Sequence, residues 1–367
     1  MILNAEQLMM RETVAQFFAE RAPISRLRAL EHEPIDISYD VELWSDMVAL
    51  GLTGITVPEV YDGLDFGWLG LGAIAQEAGR CLVASPLLSS VVMGQNVLLN
   101  CGSRAQIERY LPAMLSGDST STLALDEGRA FDPESIVVAE RAGTMSGRKI
   151  RVLDAPMCSL IFSVARRESG ELGVALVSAD SRGITASGRR LMDLHDSGSV
   201  VFEALQTETI EWLEGVDIQG GLQKTLDQAT AVLAAEMMGT AREALERTVT
   251  FLGEREQFDV KLGTFQALQH RCAQMYCELE LADSAVAAAL VALDQDAQNT
   301  SSLVSSAKAL ANDCLTLISS ESVQLHGGMG VTEEMDMGLF LKRSRVCNQL
   351  LGSSSYHRDR YARLNGF

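Results

Sequence analysis

Several things are scarce in this 367-residue chain. There are 7 prolines, and the aromatic residues (11 Phe, 6 Tyr, 3 Trp) make up only 5% of positions. Few helix breakers beside plentiful Ala, Leu, Glu and Gln favour helix over an all-β fold. No run approaches the ~18–20 apolar residues of a membrane-spanning helix. The first residues, MILNAEQLMMRETVAQFF, carry Glu6 and Glu12 and have no basic stretch before an apolar one, so they do not read as a secretory signal. The expected location is the cytoplasm. The 7 cysteines are odd in number and irregular in spacing, and the nearest pair, Cys272 and Cys277, is neither CxxC nor a disulfide framework. Reduced core thiols are the expectation. With 5 scattered histidines and no HExxH, no metal site is expected. Positive charge is also short: 30 Lys and Arg stand against 49 Asp and Glu, a formal net charge of −19. That field disfavours nucleic-acid backbones. It also opposes an anionic coenzyme, which needs local Arg, Lys or helix N-termini to overcome it.

What is present is a globular composition, 47% hydrophobic and 22% charged. The pattern along the chain changes twice. Residues 1–117 read as helical. Asn4 to Arg21 places Met10, Val14, Phe17 and Phe18 on one face, and Asp40 to Leu50 repeats the habit. GITVPEVYDGLDFGWLGLG (54–72) reads as a loop because Pro58 and five glycines interrupt it. Helices resume with AIAQEAGR, PLLSSVVMGQNVLLNCG and SRAQIERYLPAMLSG, the last stopped by Gly117. Residues 118–215 hold short β-branched runs (STSTLAL, ESIVVAER, SLIFSVAR, GVALVSA, GITASG, SVVFEAL) at hairpin-like spacing, which predicts an antiparallel barrel or sandwich. Residues 216–367 return to helix in four segments: 223–251, 262–293, 302–325 and 334–364, the last broken near Gly352. Short loops between long apolar helices predict a four-helix bundle. The fold class is α+β, mostly α.

Three motifs fall at the joints of this pattern. They are GITVPEVYDG followed by AIAQEAGR, EREQFDVKLGTFQALQHRCAQM (254–275), and QLHGGMGVTEEMD (324–336). In the second, Arg255 and Gln257 sit where a helix gives way to a loop. A guanidinium there is able to clamp a pyrophosphate through two parallel hydrogen bonds, or to stay a solvated surface charge. Phe265 and Gln266 begin the next helix, either as ligand contacts or as a core Phe beside an exposed Gln. In the third, glycines 327, 328 and 330 let the backbone approach a ligand and offer its N–H groups, or merely cap the preceding helix.

Together these motifs resemble the acyl-CoA dehydrogenase family of flavoproteins, over essentially the whole chain and in that family's domain order. The resemblance implies FAD as cofactor, held by Arg255, Gln257 and Phe258. Phe265, Gln266, Gln324, Gly327 and Gly328 would reach a FAD held by a neighbouring subunit, so a tetramer is implied. It implies removal of a proton alpha to an acyl-CoA thioester, transfer of the beta hydrogen to FAD as hydride, and onward passage of electrons to an electron-transfer flavoprotein.

The chain departs from that pattern at the catalytic acid. Much of the family carries a Glu-Gly-Thr tripeptide after the glycine turn. By register Gly352-Ser353-Ser354 occupies it, and the Glu is absent. A minority keeps the Glu on the first bundle helix, where this chain has Ala229. Glu236, seven residues on and on the same face, is the remaining candidate base, or else a structural acid paired with an Arg such as Arg242. The first β-loop, LALDEGRAFDPES, aligns Asp126 and Glu127 with a Thr-Glu but lacks the Gly-Ser-Asp that follows in many members. The R-x-Q-F element ends in Asp259 where Gly is usual. LAAEMMGTAREALERTV, FLKRSRVCNQLLG and SYHRDRYARL are similar to a bacterial branch acting on steroid side chains and other bulky acyl-CoA thioesters. Some of its members are heterotetramers in which one chain bears the base and the other helps build the FAD site. The expected function is therefore an acyl-CoA dehydrogenase or a base-lacking partner subunit of one, working as a homo- or heterotetramer. Another flavin reaction, such as a monooxygenation or a nitroalkane oxidation, is a third alternative.

Overall fold

The computed structural model describes residues 1–367. In chain order the helices are α1 (Ala5–Arg21), α2 (Ile24–Ala29), α3 (Val41–Ala49), α4 (Trp68–Arg80), α5 (Gln95–Cys101) and α6 (Arg104–Leu115). Eight strands follow: β1 (Ser121–Ala124), β2 (Ala139–Arg141), β3 (Thr144–Val152), β4 (Leu160–Arg166), β5 (Leu172–Ser178), β6 (Ile184–Ser187), β7 (Gly198–Gln206) and β8 (Glu211–Trp212). After them come α7 (Ile218–Glu254), a small hairpin of β9 (Glu256–Gln257) and β10 (Val260–Lys261), and then α8 (Gln266–Asp294), α9 (Thr300–Leu325), α10 (Met337–Cys347) and α11 (Ser354–Leu364). The chain forms two compact units, one of residues 1–26, 68–83 and 230–367, the other of residues 27–67 and 84–229.

In the first unit, Asn4 caps α1 by accepting the Gln7 N–H, while the Gln7 side chain accepts from Asn4 N–H. Val14 and Phe18 on α1 are fully buried, as the predicted apolar face requires. The expected loop over 54–72 ends early, because α4 already begins at Trp68. Gly67 (φ +83°) does turn the chain before the helix, but Gly72 is a packing residue: a Cβ on it would sit 2.3 Å from Leu290, and one on Gly79, further along α4, 2.0 Å from the Glu236 carbonyl. Gly239 on α7 is equally constrained, with a Cβ falling 1.8 Å from the Gln76 carbonyl. Helices α4 and α7 therefore cross at backbone contact. Asp294, at the end of α8, caps α4 by accepting from Trp68 N–H and Leu69 N–H. In the bundle α9 packs against α8, α10 and α11. The fourth segment is broken as expected, and the break spans Asn348–Ser353.

In the second unit, the eight strands form one sheet in the order β6-β7-β3-β2-β4-β5-β8, with β1 added beside β4. Most pairings are antiparallel, but β1 and β2 both run parallel to β4. That amends the all-antiparallel expectation. The long strand β3 was not among the predicted runs. Its pattern, TMSGRKIRV, is broken by polar residues, and Lys149 is nonetheless fully buried in it. Met145, Val152, Ile161, Ala175, Val200 and Phe202 form the core of this sheet. The apolar run Leu87–Gly94 is a π-helix continuing into α5, a winding that hydrophobic periodicity does not distinguish from α.

Candidate functional site

The second and third motifs meet at one end of the bundle. Phe251, in the last turn of α7, stacks on His326 at the end of α9, with ring centroids 4.3 Å apart. His326 is buried, and its Nδ1–H donates to the Ser322 carbonyl at 2.8 Å, so it serves the fold. Four residues past Phe251, the Arg255 N–H donates to the Phe251 carbonyl and the Arg255 carbonyl accepts from Leu262 N–H. The backbone there is fixed at both faces while the guanidinium extends into solvent and forms no ion pair. Glu254 and Glu256 flank it, so Arg255 is a lone cation in a locally acidic stretch.

Phe258 and Asp259 form the two-residue turn of the β9–β10 hairpin, with φ of +56° and +63°. Two consecutive positive φ values define a turn that favours Gly, Asn or Asp. Asp259 is thus an acceptable replacement for the usual glycine on conformational grounds. The turn leaves Phe258 84% exposed, with its ring edge-on to Phe265 at 6.3 Å. Phe265 occupies the N-cap position of α8, and Gln266 is its first residue, exposed. The Gln257 amide does no more than donate to the Glu256 carbonyl.

On the glycine turn, Gln324, Gly327 and Gly328 are exposed. Gly330 is required by the chain itself, because a Cβ would lie 2.5 Å from the Val323 carbonyl. Gly327 (φ +61°) and Gly328 differ: nothing lies within 4 Å of a Cβ on either. Missing side chains over open space let a ligand approach this backbone closely, as a phosphate cradle requires. Arg255, the Phe258–Phe265 ring pair and this cradle fit FAD as a set: a cation, an aromatic surface and exposed glycines. An apolar cleft of about 580 Å3 between α7 and α8, lined by Leu245, Val249, Ala273 and Tyr276, lies on the same bundle.

The two places for a catalytic acid are occupied otherwise. In the turn Asn348–Ser353, Gly352 adopts φ +107° and a Cβ would fall 2.6 Å from Tyr356 and 2.7 Å from His357. Gly352 is therefore the residue that must be glycine, and matching it to the glycine of Glu-Gly-Thr moves the register by one and sets Leu351 at the acid. Neither register supplies a carboxylate. Ala229 is fully buried, as is its neighbour Thr230 nearly so. Glu236 is not paired with Arg242, which instead binds Glu280 at 3.0 Å. Its partner is Arg343 on α10, whose Nη2 and Nε donate to Glu236 Oε1 at 2.5 and 3.0 Å. The pair is largely buried, with side-chain exposures of 6% for Arg343 and 16% for Glu236. Sequence spacing missed this partner because it lies 107 positions away.

In the other unit, Asp126 and Glu127 are engaged in holding their own loop. Glu127 accepts from Val137 N–H, Val138 N–H and the Lys149 ammonium. Asp126 accepts from Arg151 Nε at 2.8 Å, and burial raises its carboxyl above the usual range. Arg151 also donates to the carbonyls of Arg129 and Ala130. Ion pairs here hold the segment for which the resemblance implies Thr, Ser and Gly.

The chain's two ends match known family models, the acyl-CoA dehydrogenase N-terminal domain over residues 4–118 and the C-terminal domain over residues 220–364. It is 26% identical to acyl-CoA dehydrogenase IpdE2 of Mycolicibacterium smegmatis across 95% of this chain and 96% of that one. Among solved structures it is similar to a variant of the Tcur3481–Tcur3483 steroid ACAD, at 27% identity, TM-score 0.88 and 98% coverage of each chain. It also shares its fold with the ChsE4–ChsE5 complex from Mycobacterium tuberculosis, at 22% identity and TM-score 0.88 over 100% of this chain and 98% of that one. No helix is long and apolar enough to cross a membrane. With both domain models matched in order on a helix–sheet–helix chain, this protein belongs to the acyl-CoA dehydrogenase family of flavin oxidoreductases.

Proposed function

We propose that this chain is a subunit of an FAD-dependent acyl-CoA dehydrogenase that acts on a bulky acyl-CoA thioester, and that a related chain supplies the catalytic acid. The observation that carries this reading is the double absence at the acid. The turn Asn348–Ser353 has no carboxylate, and Glu236 is neutralised by a buried arginine. General-base removal of the alpha proton is worth about two to four powers of ten in rate, so its loss is not absorbed by binding alone.

FAD, when bound, supplies the hydride acceptor. This chain's own contribution is the surface at the end of the bundle. Arg255 offers a planar pair of donors for pyrophosphate. Phe258 and Phe265 offer rings for a heterocycle, and Gly327 and Gly328 admit the ligand to backbone N–H groups. The exposed positions of these groups on the bundle agree with a site completed by a second chain, so a heterotetramer is the assembly proposed. Two of the similar structures are named for pairs of chains, Tcur3481–Tcur3483 and ChsE4–ChsE5. The steroid ACAD likeness supports a bulky acyl group, and electron-transfer flavoprotein is the proposed acceptor of the electrons.

A second reading keeps the chain catalytically self-sufficient, with Glu236 as base. It is favoured by one feature: Arg343 Nε and Nη2 both donate to the same oxygen of Glu236, Oε1. The experiment is purification of the chain alone and with an acid-bearing family member encoded beside it. Colour and stoichiometric FAD only in the mixture support the partner reading. A yellow chain that bleaches anaerobically with an acyl-CoA, and loses that response on Glu236→Gln while keeping FAD, establishes the second. Bound flavin that an acyl-CoA never bleaches in either preparation, but a nitroalkane or oxygen-dependent substrate does, overturns both.

A further inference from the structure

The least expected group in the molecule is Lys308. It lies in the middle of α9, its side chain is fully buried, and no carboxylate meets it. Its Nζ donates to Asn312 Oδ1 at 2.7 Å, to the Cys347 carbonyl at 3.0 Å and to the Gly352 carbonyl at 3.3 Å. Three oxygen acceptors match the three N–H bonds of an ammonium. Burial opposes that form and pulls the lysine down to about 7. A group so costly to bury persists where its bonds do something a methionine could not.

What the bonds do is fix the turn between α10 and α11. Cys347 ends α10 and Gly352 stands just before the N-cap Ser353 of α11, so the lysine holds both sides of the break. Asn312 adds a donation to the Gly352 carbonyl at 3.4 Å. One turn further along α9, Thr316 Oγ1 accepts from the Asn348 amide at 2.7 Å. From α11, His357 donates Nε2–H to the Leu351 carbonyl at 2.8 Å, and burial beside Lys308 pushes its imidazole down to about 3. Side chains of α9 and α11 thus bond the end of α10 and the turn that follows it, and Leu351 and Gly352 are thereby kept at φ +55° and +107°.

We propose that Lys308 is a positioning residue, a buried ammonium whose donations to Cys347, Gly352 and Asn312 set the α10–α11 turn at the place where the family's acid would stand. This rests on the proposed function, in which that turn carries no catalytic acid. The clamp is measured on the chain's own amides, so it can fail while that reading stands, and flavin binding can fail while the clamp stands.

The test is hydrogen exchange of the purified chain, compared with Lys308→Met, which fills the same space without donors. The expected result is at least tenfold faster exchange in peptides covering residues 347–356, with peptides from α7 and α8 unchanged. Exchange of the turn within twofold of the parent chain overturns the proposal, and so does acceleration spread evenly over the bundle, which marks a space-filling role. If Lys308→Met does not fold, Asn312→Leu removes one acceptor and one donor to Gly352. It should show the same local acceleration at smaller size, and an unaltered turn in that variant overturns the proposal equally.

Discussion

Replacing Glu236 with Gln separates a structural acid from a catalytic one. In the parent chain Arg343 is 5% exposed and gives two donations to one oxygen of Glu236. Gln keeps the shape and one acceptor but removes the negative charge that the buried guanidinium of Arg343 binds. Removing one partner of a buried pair costs about 3–5 kcal/mol, and the remaining 16% exposure of the Glu236 side chain moves the expectation toward the lower end, roughly 3 kcal/mol. For a chain of this size that corresponds to a fall in Tm of order 5 °C. The double variant Glu236→Leu with Arg343→Met should recover most of the loss, because well-packed apolar replacements of a buried ion pair are often neutral. Denaturant and thermal midpoints of the three proteins decide it. A Glu236→Gln chain that unfolds at the parent midpoint refutes the argument that this acid exists for Arg343. If that chain also binds FAD and has lost reduction by an acyl-CoA, Glu236 is the base.

Other outcomes follow from single contacts. Gly239→Ala should lower stability sharply and shift the α4–α7 crossing, since its Cβ meets the Gln76 carbonyl at 1.8 Å, whereas Gly338→Ala in α10 meets nothing and should be neutral or gain up to about 1 kcal/mol in thermal unfolding. Leu351→Glu should lose some stability, because Leu351 is buried, but should fold better than Gly352→Glu, which also loses the residue that needs φ +107°, and equal yields would refute the one-residue shift in register. The imidazole of His357 sits at about 3 when folded against 6.5 when free, so the unfolded chain binds the extra proton. Stability should therefore be full above pH 6.5 and fall by up to about 5 kcal/mol as pH drops to 3, and a His357→Leu series of denaturant midpoints should lack that slope. Arg255→Gln should weaken FAD binding about tenfold to a hundredfold in the assembled enzyme, read by flavin release, with no change in the Tm of the chain alone, because the guanidinium forms no ion pair.

What could be read from the sequence divides along a physical line. Local signals were legible: the helical stretches from Asn4 and Asp40, the stop at Gly117 and the break at Gly352 are each set by residues within a turn or two. The motifs were legible because glycine and arginine at fixed spacing have few structural uses, and the Phe251–His326 stack shows that two of them share one end of the bundle. Strand β3 was not, since its buried Lys149 breaks the apolar alternation and is compensated by Glu127 and the Leu125 carbonyl, more than 20 positions earlier. Gly72 of α4 reads as a breaker because its reason for being small is the Leu290 side chain on another helix, more than 150 positions away.

The same distance dependence explains the acid. Composition showed 49 acidic residues and no way to rank them. Spacing could place Glu236 on the right face of α7, but a carboxylate's chemistry is set by what it touches, and Arg343 comes from the far end of the chain. Lys308 is the mirror case, a cation that spacing alone reads as an ordinary helix lysine. One acid is neutralised and one cation is buried within a single bundle of a chain with net charge −19. Global charge therefore says little about this site, and Arg255, exposed and unpaired between two glutamates, is where the overall field and the local chemistry diverge most.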